Sequence, residues 1–395
     1  MFDHIVLRRT IGGLPITAGY IAEALLYYQR LHIIIDRGTL FHLIKQLGTS
    51  RILTLLNRPE VSAVYCEEML ATHTDWVGVS QCHNYVTFRL SGHAETSTLQ
   101  SSIERLEFEL EGHGVPKKEA KRFTHAFLQR VPIRKFSGNY FLPGGIETAA
   151  KRDLLDIGYA KQAIRHAVAA TYGGYMVGED LKLEVIESDM GFYVFTDINL
   201  EAINKKRAQA IPPIESLTIA HLLSHILDAR ADLALASFYS GDFVTSSVIS
   251  SIIQARHAEF LRLSNLNDSS RRQFIEIVLP DSPSLAEIID AGERSIDEFF
   301  VLLDRAGRFK DWLKKVNPDE DLVRSYMRDI TSEGWVQRLP AKSLRYILTL
   351  AVDTTNPLAG LVSGFVDNFV VEKLLSGWRP NHFISGRLAP FIQKN

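Results

Sequence analysis

The chain has 395 residues, 46% of them hydrophobic and 23% charged, with a formal net charge of -2. Such a length and composition suit two or three globular domains with real cores, and the charge balance excludes a global field that would gather nucleic acid or an anionic membrane. The two cysteines, Cys66 and Cys82, are too few for a disulfide framework or a CxxC zinc pair, which points to a reducing, cytoplasmic setting.

The first nine residues have no apolar core followed by a small-residue cleavage site, so they do not read as a signal peptide. Ile5 to Leu7 reads as a short strand and Thr17 to Arg30 as a helix. Leu31 to Ile35 is a compact β-branched run, as a buried strand requires. A helix is expected from Leu40 to Leu47, closed by Gly48. Val61–Cys66, Trp76–Ser80 and Tyr85–Leu90 read as further strands. Helices follow over Ser97–Glu111 and Pro116–Val131, then around 147–171. Leu181–Ile186 and Phe192–Thr196 form an expected hairpin about Ser188 to Gly191.

From Leu200 onward helical spacing dominates, and Ile211-Pro-Pro213 marks a boundary. The expected fold class is therefore α+β and predominantly helical overall. A mixed α/β domain covers 1–198, and an all-helical domain covers 199–395. That second domain ends in an apolar helical hairpin at 343–376. Its Gly360 and Gly364 are small residues one turn apart, which permit close helix packing. The run before Asp367 is only about ten residues, short of the roughly 20 needed to span a bilayer. The hairpin reads as a buried element, with membrane action as the alternative.

Four side-chain groups carry candidate chemistry. Asp36, Arg37 and Thr39 form the turn between the apolar strand and the next helix, where α/β folds bind ligands. Asp36 could orient a hydroxyl or a water, while Arg37 and Thr39 could hold an anion, with His42 and Lys45 further along the helix. The bland reading is N-capping. His221, His225, Asp228 and Asp232 fall on one helical face, so the first three could ligate a divalent metal, with His257 and Glu259 available from the next helix. The bland reading is a solvated polar face. Lys117, Lys118, Lys121, Arg122 and His125 make a basic helical face for phosphates or an acidic partner. Its bland reading is pairing with Glu104, Glu107, Glu109 and Glu111 upstream, or a simple solvated face. The loose set Ser80, Cys82, His83, His93 and Glu95 lacks a Gly-x-Ser-x-Gly elbow, and the pair Lys182 and Glu184 has the reverse of the usual nuclease order.

No GxGxxG or GxxxxGK[ST] motif follows any strand, so there is no standard dinucleotide or P-loop signature. Late aromatics, including Phe309, Trp312, Trp335, Tyr346, Trp378 and Phe383, suit either a core or an interface. The leading functional expectation is a non-enzymatic interaction or regulatory protein, acting through a protein partner or self-association. One alternative is a metal-dependent or phosphate-directed hydrolase using the Asp36 turn or the His221/His225/Asp228 set. The other is a membrane-acting effector that exposes 343–375. Nucleic acid is a weaker partner, because no aromatic is interleaved on the basic face.

Overall fold

The computed structural model describes residues 2–10, 15–89, 101–171, 177–209, 215–255, 282–316 and 380–393, with Arg271, Phe274, Ile275, Leu279 and Leu322. The expected 343–376 hairpin, His93, Glu95, His257, Glu259, Trp335, Tyr346 and Trp378 lie outside the described residues. The fold mixes helices with two four-stranded sheets. Backbone proximity divides the chain into two units, one of residues 1–3, 17–30 and 264–395, the other of 4–16 and 31–263.

The larger unit holds both sheets. In the first, β1 (His4–Arg8), β2 (Arg30–Asp36), β3 (Val61–Cys66) and the short β8 (Asp242–Phe243) take the order β3-β2-β1-β8. β2 pairs parallel with β3, Asp36 opposite Cys66, and β1 pairs parallel with β8. Leu31 to Ile35 is buried throughout, as its apolar residues require, and His32 is buried with them. Within α2 (Arg37–Leu56) the backbone leaves helical geometry at Gly48, where the sequence places the close of a helix. Gly48 adopts φ 74°, which glycine tolerates, and the helix resumes beyond the kink.

The second sheet is antiparallel, in the order β4-β5-β7-β6. Its strands are β4 (Glu68–Val77), β5 (Ser80–Arg89), β6 (Leu183–Ser188) and β7 (Gly191–Thr196). The expected hairpin about 188–191 forms as read. Sequence reading put a strand through Trp76–Ser80, whereas a two-residue turn at Gly78 and Val79 sits there, with Gly78 at φ 63°. Most of β4 escaped notice because Thr72, His73, Thr74 and Asp75 interrupt its apolar signal.

Around the sheets lie α3 (Ser102–Gly112), α4 (Lys117–Arg130), α5 (Ile146–Leu155), α6 (Ile157–Thr171), α7 (Leu200–Arg207), α8 (Ile219–Tyr239) and a helical stretch at 247–255, α9. The core joins Val6, Ile34 and Val64 of the first sheet and Leu70, Tyr85 and Phe192 of the second to α5, α6, α8 and α9. α8 is its axis. The Tyr85 hydroxyl donates to the Leu223 carbonyl at 3.2 Å, Ser224 Oγ donates to Thr72 Oγ1 at 2.9 Å, and Arg230 holds Asp153 in two hydrogen bonds. α8 thus belongs by packing with the sheets, although in chain order it follows residue 198.

In the smaller unit, α1 (Ala18–Tyr27) packs on α10 (Leu285–Asp290), α11 (Ile296–Asp304) and α12 (Gly307–Lys315). Thr17 caps α1, and Ser284 and Ser295 open α10 and α11 with capping boxes. Gly19 lies against the Ala286 backbone with no space for a side chain, and its amide donates to Asp290 Oδ1 at 2.9 Å. Phe309 stacks on Trp312 and on Phe383, so these late aromatics complete a core.

Candidate functional site

A cavity of about 190 Å³ opens at the carboxyl edge of the first sheet. Its lining comes from the end of β1 and just beyond it (Arg8, Arg9, Thr10), the end of β2 (Ile34, Asp36), the start of β4 (Glu68, Met69, Leu70) and the loop after α4 (Phe136). Strand polarity builds this arrangement. Parallel strands bring their last residues to one edge, where side chains are freed from sheet packing.

Each charged group there has a distinct job. Asp36 is the N-cap of α2, and its Oδ1 accepts from the Thr39 amide at 2.6 Å. Glu68 accepts from the Ser137 amide at 2.8 Å and from Ser137 Oγ at 2.9 Å, which pins the loop that supplies Phe136. Arg8 turns toward α8, pairing with Asp228 and, at 2.7 Å, with Asp232. Arg9 differs. It is exposed, and among the described residues it makes no ion pair. Its guanidinium lies over Gly38 in the first turn of α2, where a Cβ would overlap Nη1. Asp36 caps this helix start, so a cation and a capping carboxylate meet at one edge.

The Arg8 cluster is buried. Asp228 and Asp232 are 0% and 3% exposed. Burial pushes the Asp232 carboxyl up to about 6; Arg8 opposes that shift and Asp228 adds to it. The Thr245 side chain also faces this carboxyl and opposes the shift.

The other candidates are placed as follows. Arg37 leaves the turn to pair with Glu109 of α3 and lies over the Phe41 ring. The Thr39 hydroxyl is buried and, among the described residues, has no hydrogen-bond partner. Of the His–Asp stripe, His221 completes the Thr218 capping box, while burial holds His225 below the usual imidazole range and its Nδ1 has no partner among the described residues. Asp228 is committed to Arg8. The expectation of a solvated face therefore gives way to burial at Asp228 and Asp232. No group of three His, Cys, Asp or Glu side chains placed to hold a metal occurs among the described residues.

Lys117, Lys118, Lys121, Arg122 and His125 are exposed along α4 while Phe123 and Phe127 are buried beneath. Pairing with the α3 glutamates does not occur among the described residues; Glu109 serves Arg37 instead. Cys82 and His83 are adjacent strand residues, so they point to opposite faces; His83 bonds Thr74 Oγ1 at 2.8 Å and Cys82 lies 3.9 Å from Ser188 Oγ. Lys182 and Glu184 are exposed at the start of β6.

Sequence reading missed Arg8, Arg9, Glu68 and Phe136. The signal available was the charged pair Arg8-Arg9 directly after an apolar strand. Comparison of the chain with protein-family models, curated proteins and solved structures finds no match.

Proposed function

We propose that this is a non-enzymatic regulatory protein that binds a small anionic ligand at the carboxyl edge of its first sheet. In this reading the mixed α/β part of the chain carries the ligand site. The helical C-terminal part answers to it, through a protein partner or a second copy of the chain. The observation that carries the reading is the cavity itself, with Arg9 exposed and, among the described residues, without an ion pair beside the start of α2. Asp36 and Arg37 keep a place in this account, as cap and neighbour of the site rather than as reacting groups.

The test is a titration of the full chain with inorganic phosphate and simple organic phosphates, followed by thermal unfolding. Ligand bound only by the folded state stabilises it, by about 2.7 kcal/mol at a hundred times Kd. Wild type is expected to be stabilised and Arg9→Gln to lose that response while melting normally without ligand. Equal responses in the two proteins would remove Arg9 from the site and the reading with it. Light scattering with and without ligand then reports whether association changes.

A further inference from the structure

We infer that the ligand is a ribonucleoside phosphate, its ribose hydroxyls donating to Asp36 and its phosphate facing Arg9. This rests on the cavity being a ligand site, as proposed above. Two carboxylates, Asp36 and Glu68, line the cavity together with Arg9. A bare anion would face both of them at close range, which disfavours it. A ligand that carries hydroxyl donors as well as negative charge satisfies both signs.

The carboxylates are not equivalent. Both oxygens of Glu68 are engaged by Ser137. Asp36 bonds the Thr39 amide through Oδ1, and a carboxylate has about four lone-pair sites, so it retains acceptor capacity for a diol. An acid at the end of the second strand of a parallel sheet is well placed to meet a ribose. Ile34, Met69, Leu70 and Phe136 supply an apolar wall for a flat ring. The volume of about 190 Å³ falls below the roughly 300–1,000 Å³ of drug-sized pockets, so the cavity encloses part of a nucleotide and the rest extends beyond it.

The experiment is calorimetric titration of the full chain with the four ribonucleoside 5′-monophosphates, their 2′-deoxy counterparts, ribose 5-phosphate and inorganic phosphate. At least one ribonucleotide is expected to bind about tenfold tighter than its deoxy counterpart, the cost of leaving one buried acceptor unpaired. It should also bind tighter than phosphate. Asp36→Asn keeps a good N-cap and is expected to bring the ribo-to-deoxy ratio to about one by losing an acceptor. Equal binding of ribo and deoxy forms would overturn the inference. So would phosphate binding as tightly as every nucleotide, although the anion cavity would then stand. Binding of no probe at all would remove the cavity reading too.

Discussion

His32 shows how a single buried side chain ties stability to pH. It stacks on Tyr239 with ring centroids 3.6 Å apart, bonds Ser62 Oγ through Nδ1, and leaves Nε2 unpartnered. Burial, with a smaller contribution from His4, lowers its pKa to about 3. The unfolded chain titrates near 6.5, so between those values the unfolded state binds the extra proton. The contribution of His32 is therefore complete above pH 6.5 and is lost as pH falls toward 3. Between pH 7 and pH 4.5 the loss amounts to about 2–3 kcal/mol. Urea denaturation of wild type and His32→Phe at both values isolates it: the variant should lose less stability on acidification, and parallel losses would contradict the assignment. At this scale the sequence was informative where the chemistry is local. Asp36 as a cap followed from its place before a helix. Arg9 over Gly38 did not, because nothing in a run of neighbours tells which way an arginine folds back.

Among elements, the link between β1 and α8 is electrostatic. Arg8 meets two carboxylates one helical turn apart. Removing a buried cation strands its partners, at about 3–5 kcal/mol. Arg8→Met is expected to destabilise by that amount. Arg8→Met combined with Asp228→Leu and Asp232→Leu should recover most of it, since apolar replacement of a whole buried network is often neutral. A triple variant no more stable than the single one would show that the network does more than fill space. Asp232 adds an opposite pH signature to that of His32. Its pKa is raised to about 6 from the ordinary 3.8 of an aspartate, so the folded state holds the extra proton. Stability is highest below the lower value and declines as pH rises through about 6. Asp232→Asn is expected to flatten that decline, by up to about 3 kcal/mol, as read by unfolding at pH 4 and pH 7.5. An unchanged profile would place the proton elsewhere. The His–Asp stripe was visible as a helical face, yet it looked solvated because its cation lies some 220 residues earlier in the chain.

For the whole molecule, the mixture of helices and sheets was legible from periodicity, and the buried β2 and β3 were placed closely. Unit membership was not, because it depends on contacts between distant segments. The larger unit takes 4–16 and 31–263, whereas residues 17–30 pack with 264–395. The expected boundary near 198 cuts the larger unit before α8, whose Leu222, Leu223, Ile226, Leu227 and Leu235 are almost wholly buried in the shared core. A fragment of residues 1–198 is therefore expected to show no cooperative unfolding transition. A sharp transition in that fragment would mean that the two sheets close without α8.

The central claim is that Arg9, resting on Gly38, organises a ligand site at the edge of the first sheet. Gly38→Ala addresses it most directly, because alanine favours a helix over glycine by roughly 0.5–1 kcal/mol while its methyl group takes the space of the guanidinium. Melting of the variant and calorimetric titration with ribose 5-phosphate should be measured side by side with wild type. The account predicts an equal or higher melting temperature and binding weakened about tenfold, the loss of one charge-assisted contact. A folded Gly38→Ala protein that binds as tightly as wild type would contradict it.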